Sequence, residues 1–182
     1  APVLDALERA VASGLYAAGF VSYDAAPGLD SALTARRDAD FPLLCFGLFE
    51  EKRPANLRES ATSGGYTISQ WRSSISESTY AAALRRIRDC IEAGDTYQVN
   101  YTLKMEADFR GDSRRFYRDL CRSQGAAYCA YMDLGRYQLL SVSPELFFSL
   151  RGGVLTARPM KGTMPRGRWP AEDHRHASEL QH

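Results

Sequence analysis

At 182 residues, with 45% hydrophobic and 25% charged side chains, the chain has the composition of one soluble globular domain with enough apolar material for a core. A net charge of +1 excludes a general electrostatic footprint for nucleic acid or an anionic membrane, and no apolar run approaches the roughly 20 residues of a membrane span. The four cysteines, Cys45, Cys90, Cys121 and Cys129, form no CxxC pair and read as small buried hydrophobes in a reducing, cytoplasmic setting.

Val3, Leu4, Leu7 and Val11 recur at helical spacing with Gly14 behind them, which predicts a helix near 2–13. Ala17–Tyr23 reads as a strand, 24–41 as a loop, and the apolar run Leu43–Phe49 as a buried strand. Residues 50–64 carry charge, proline and glycine without periodicity, so they and 24–41 read as mobile surface loops. Tyr66–Ile68 is a short strand. Ser76 then caps a helix whose stripe is Tyr80, Leu84, Ile87 and Ile91 and whose stop is Gly94; Arg85, Arg86 and Arg88 form its solvated side.

From Thr96 to Phe109 apolar and polar residues alternate with period two, which predicts a strand with one core face and Gln98, Asn100 and Thr102 on the other. Ser113 opens a second helix with Phe116, Leu120 and Tyr117 inward, and Ala127–Asp133 with Tyr137–Val142 make a hairpin around Leu134-Gly135-Arg136. His174 and His176 belong to an exposed polar helix rather than to a metal-binding set. Short links between strands exclude regular βαβ crossovers, so the expected class is α+β with largely antiparallel sheets and flanking helices. We read 1–182 as one domain. The missing initiator Met and the stop at His182 make it read as part of a longer chain.

The stretch Ser141–Gly167 is the focus. Leu146-Phe147-Phe148 and Val154-Leu155-Thr156 flank Arg151-Gly152-Gly153, the signature of a hairpin. With a three-residue loop Glu145 faces Pro159, and Lys161 is its diagonal neighbour on the same face, about 7–8 Å away between Cβ atoms. A two-residue Gly152-Gly153 turn shifts the register by one and sends the pair to opposite faces. On pattern alone the carboxylate and amine read first as solvated surface charges.

Three motifs bear on that choice: Gly94-Asp95-Thr96-Tyr97-Gln98-Val99-Asn100, Ser143-Pro144-Glu145-Leu146-Phe147 and Arg158-Pro159-Met160-Lys161-Gly162-Thr163. In that order and spacing the sequence resembles the chorismate-utilising enzymes. The resemblance implies a large α+β domain with a central cleft, chorismate as substrate, and Mg²⁺ to hold the substrate's ring carboxylate, with the Mg²⁺ ligands beyond His182. It implies Glu145 as the general acid for the departing hydroxyl and Lys161 as a nucleophile found in the members that aminate carbon 4, where anthranilate-forming members carry alanine. It favours the register that puts both on one face. Gly162 and Thr163 are implied as substrate contacts.

Gln98 stands where water-adding members carry a lysine base, and an amide cannot serve as that base. Ammonia from a glutamine amidotransferase partner is the implied nucleophile. Ala127, Tyr128 and Cys129 fall where some members bind tryptophan as an effector, yet they depart from that pattern and read better as strand packing. Two rival readings are an anthranilate-forming enzyme and a non-catalytic ligand-binding module.

Overall fold

The structure is a computed structural model and describes residues 2–36, 40–54, 64–159, 162 and 164–180. It comprises two compact units, 1–61 and 62–182.

In the first unit α1 (Pro2–Ala12) packs on β1 (Tyr16–Val21). A single 3₁₀ turn at Tyr23–Ala25, which takes in the expected last residue of the strand, and the short α2 (Ala26–Leu29) follow, the latter within the stretch expected to be loop. β2 (Leu44–Phe49) returns antiparallel to β1, with Tyr16 opposite Phe49 and Val21 opposite Leu44. β2 is less buried than its unbroken apolar run predicts: Leu48 and Phe49 are exposed. Most of the excursion expected at 50–64 lies outside the described residues.

The second unit opens with β3 (Tyr66–Ile68) and β4 (Arg72–Ser73). α3 (Glu77–Glu92) starts where expected because Ser76 Oγ accepts from the Thr79 N–H at 3.1 Å. β5 (Met105–Glu106) pairs with β4, and β6 (Phe109–Gly111) pairs with β3. The long strand expected over Thr96–Phe109 is therefore not formed; only its last residues enter ladders. Alternation describes a strand that has a partner on which to bury one face, and among the described residues 96–103 enter no ladder, while Lys104 meets Ser74, whose N–H donates to its carbonyl at 2.8 Å. Tyr97 is 92% exposed, and Val99, Tyr101 and Leu103 are also exposed, so the expected core face is not a core.

α4 (Ser113–Gln124) opens at Ser113 as expected, and Asp112 caps it: its carboxylate accepts from the Arg114 and Arg115 N–H groups at 2.9 and 3.0 Å. The inward residues match: Phe116 meets Tyr66 and Phe109 at ring-centroid distances of 5.1 and 5.5 Å, and Tyr117 is buried. Tyr66 donates from its hydroxyl to Asp119 at 3.2 Å, which ties β3 to α4. β7 (Tyr128–Asp133) and β8 (Gln138–Ser143) form the expected hairpin, both in contact with α4.

β9 (Leu146–Arg151) and β10 (Val154–Arg158) follow, and α5 (Pro170–Glu179) ends the described chain. Every strand pair among the described residues is antiparallel, as the α+β class requires.

Candidate functional site

Glu145 sits in the two-residue link between β8 and β9. Ser143 shapes that link: its hydroxyl donates to the Glu145 carbonyl at 3.0 Å, and the Glu145 N–H reaches the same oxygen at 3.3 Å. A serine bonded to backbone two residues on makes a compact turn that sets the direction of the next side chain. Glu145, Leu146, Phe147, Ala157 and Pro159 line a shallow hollow of about 420 Å³.

The hairpin behind it departs from the three-residue loop. Arg151 pairs with Val154, Leu150 with Leu155 and Ser149 with Thr156, so the turn is the two-residue Gly152-Gly153. Both glycines have positive φ, 56° and 79°, the backbone that a tight hairpin turn with the sheet's own twist requires. Pairing then resumes one residue out of step, Leu146 against Arg158. Phe147 and Phe148 thus oppose the single residue Ala157, a β-bulge, and their rings meet edge-on at 5.1 Å. Continuing the pairing by one residue sets Glu145 against Pro159. The shift comes from the bulge and not from the turn. The visible sign in the sequence is the unbroken run Leu146-Phe147-Phe148, which violates alternation.

Lys161 and Thr163 lie outside the described residues. Gly162 is described at φ 71°, and a Cβ there would stand 3.0 Å from the Leu180 side chain, so it is a turn glycine under the end of α5. Residues 165–168 are held by α5. The Gly167 N–H donates to Asp173 at 2.9 Å, Arg166 pairs with Asp173 at 2.7 Å, and the Arg168 N–H donates to Glu172 at 2.7 Å. The His176 ring nitrogen Nδ1 lies 2.9 Å from the Pro165 carbonyl. Bonds from the Arg168 backbone and side chain hold the Glu172 carboxyl below the usual range, helped by His176 and Arg175 and opposed by burial. Sequence reasoning missed this clasp; acidic residues at the first turn of a helix that begins with Pro170 were the available signal.

Gln98 is exposed in the irregular stretch before β5, where the Thr96 hydroxyl donates to its carbonyl at 3.2 Å. Ala127 and Tyr128 are exposed at the entry to β7, and Cys129 is half-buried. None of the three lines the second hollow, about 290 Å³, which Ile68, Trp71, Phe109, Phe116 and Leu140 make largely apolar. His174 is exposed on α5. Among the described residues no three of His, Cys, Asp or Glu come together as a metal set. No described helix is long and apolar enough to cross a membrane.

Residues 3–182 match the family described as chorismate binding enzyme. An exposed carboxylate at the head of a bulged hairpin and an α+β scaffold of antiparallel pairs now have a class: the chain belongs to the chorismate binding enzyme family. Over 105 residues it is 39% identical to the aminodeoxychorismate synthase component 1 of Klebsiella aerogenes, covering 58% of this chain and 23% of that protein. It is 32% identical over 112 residues to the protein of the same name from Escherichia coli K12, covering 62% and 25%. Similarity extends to the anthranilate synthase component 1 of Thermus thermophilus, 36% over 111 residues, covering 61% and 24%. The matched stretches span about a quarter of these relatives' lengths.

Proposed function

We propose that the chain carries the acid and the nucleophile of an enzyme that aminates chorismate to 4-amino-4-deoxychorismate. The observation that carries the reading is the position of Glu145: it lines a hollow with Pro159, the residue that leads into Lys161. Support from relatives is the similarity to proteins named aminodeoxychorismate synthase component 1.

Hydroxide is a poor leaving group, and a positioned acid accelerates its departure by a factor of about 10²–10⁴. Glu145 supplies the proton. Lys161 attacks ring carbon 2 as the neutral amine while the carbon 4 hydroxyl leaves as water. Ammonia then forms the bond to carbon 4, both ring double bonds, displaced in the first step, shift back, and the electrons of the carbon 2–nitrogen bond return to Lys161. Chorismate and ammonia become 4-amino-4-deoxychorismate and water. Gln98 offers amide hydrogen bonds but no base to activate water, and Gly162 and Thr163 contact the substrate. A glutamine amidotransferase supplies the ammonia, in the cytoplasm, for 4-aminobenzoate and folate synthesis, with Mg²⁺ as the metal.

A second reading, favoured by the exposure of both Glu145 and Gln98, is that the 182-residue chain alone is a non-catalytic module. The test follows conversion of chorismate with ammonium and Mg²⁺ by chromatography, alongside the melting temperature. Amination by the chain that Lys161→Ala abolishes is the expected result. Equal amination by Lys161→Ala overturns the covalent role, and neither product nor a chorismate-induced melting shift establishes the module.

A further inference from the structure

Cys121 and Cys129 were assigned to packing, but the geometry of α4 and β7 does more with them. Tyr117 of α4 and Tyr131 of β7 are in ring contact at 5.6 Å. From Tyr117 to Cys121 is four helical residues, about 6 Å along the axis. From Tyr131 back to Cys129 is two strand residues, about 6.6 Å. The two rows run toward the same corner, where Gly125 at φ 56° ends α4 and turns the chain into β7. At that corner the Cys121 side chain adjoins Cys129.

The electrostatics agree with the placement. Burial comes first among the causes that push the Cys129 thiol up, and the adjoining Cys121 thiol comes next; Cys121 also adjoins the Tyr117 phenol. The Cys129 thiol donates to the Ala126 carbonyl at 3.4 Å. Both cysteines are free and half-buried, so small reagents reach them.

We propose that Cys121 and Cys129 form a reversible redox modification site that closes into a disulfide with a low-molecular-weight disulfide such as oxidised glutathione. One cysteine thiolate attacks a sulfur of oxidised glutathione, the glutathione S–S bond breaks, and one glutathione thiolate leaves. The second cysteine thiolate then attacks the protein-bound sulfur, forms the Cys121–Cys129 bond and expels the second glutathione thiolate. Two protein thiols lose two electrons and two protons, and oxidised glutathione becomes two reduced molecules. The bridge ties α4 to β7 close to the candidate site, because Cys129 pairs with Val142 and Tyr128 with Ser143, the residue that shapes the Glu145 turn.

The test equilibrates the purified chain with graded glutathione mixtures, quenches with acid, alkylates free thiols and digests with trypsin. The expected product links the peptides Asp119–Arg122 and Ser123–Arg136, at an equilibrium constant about tenfold or more above that in concentrated urea, where only sequence proximity acts. With Cys121→Ser, Cys129 is expected to carry only a mixed disulfide with glutathione. An equal or smaller constant in the folded chain overturns the site, and so does preferred linkage of either cysteine to Cys45 or Cys90.

Discussion

Tyr117 binds the packing of α4 to pH. It is 4% exposed, and burial, followed by its Cys121 and Cys129 neighbours, pushes its phenol from 10.0 up to about 12. The unfolded chain ionises this group first as pH rises. Its contribution to stability is therefore complete below about pH 10 and is lost between about 10 and 12. Tyr117→Phe is expected to remove roughly 1–3 kcal/mol of that alkaline loss, read from urea unfolding across the window; an unchanged slope refutes the assignment. Tyr117 was legible in the sequence because helical spacing places it beside Phe116 and Leu120. The motif is what suggests a chemistry for Glu145, and its environment was not legible there. Exposure depends on which strands find partners, and alternation in 96–104 says nothing about that.

Among the elements, the β9–β10 hairpin shows how two local rules combine. The glycine pair fixes the tip, and a bulge at Phe147-Phe148 then offsets the register, so the pairing near Glu145 is that of a different loop length. Gly153→Ala places a Cβ on a backbone at φ 79° and is expected to cost about 1–2 kcal/mol. Gly28→Ala, where no atom lies within 4 Å of the added Cβ, is expected to cost nothing measurable or to stabilise by up to about 1 kcal/mol. Thermal unfolding of the two variants distinguishes them, and equal losses would mean that the turn geometry is wrong. Capped helices and the β7–β8 hairpin were readable because their signals are local. The bulge was less readable because it is decided by how two backbones meet.

At the scale of the molecule, apolar surface is the dominant feature. Among the described residues only Ala25 and Tyr117 are buried hydrophobics, while Phe147 is 88%, Leu155 67% and Val154 65% exposed. Contiguous exposed apolar groups attract one another or a partner. The isolated chain is expected to bind a hydrophobic dye and to sediment faster as concentration rises. Phe147→Ser with Leu155→Ser should reduce both effects without changing the far-ultraviolet spectrum; undiminished dye binding would place the sticky surface elsewhere.

The turns joining β7 to β8 and β9 to β10 also set a timetable. Asp133 pairs with Gln138 and Arg151 with Val154, so these ladders close over a handful of residues, whereas Tyr66 must find Gly111 across roughly a third of the second unit. Hairpins of this kind form in about 1–10 μs, and distant pairings wait on the entropy of closing long loops. The hollow beside Glu145 is built almost wholly from the second hairpin, so its walls can assemble before the sheet that joins β3 to β6 exists.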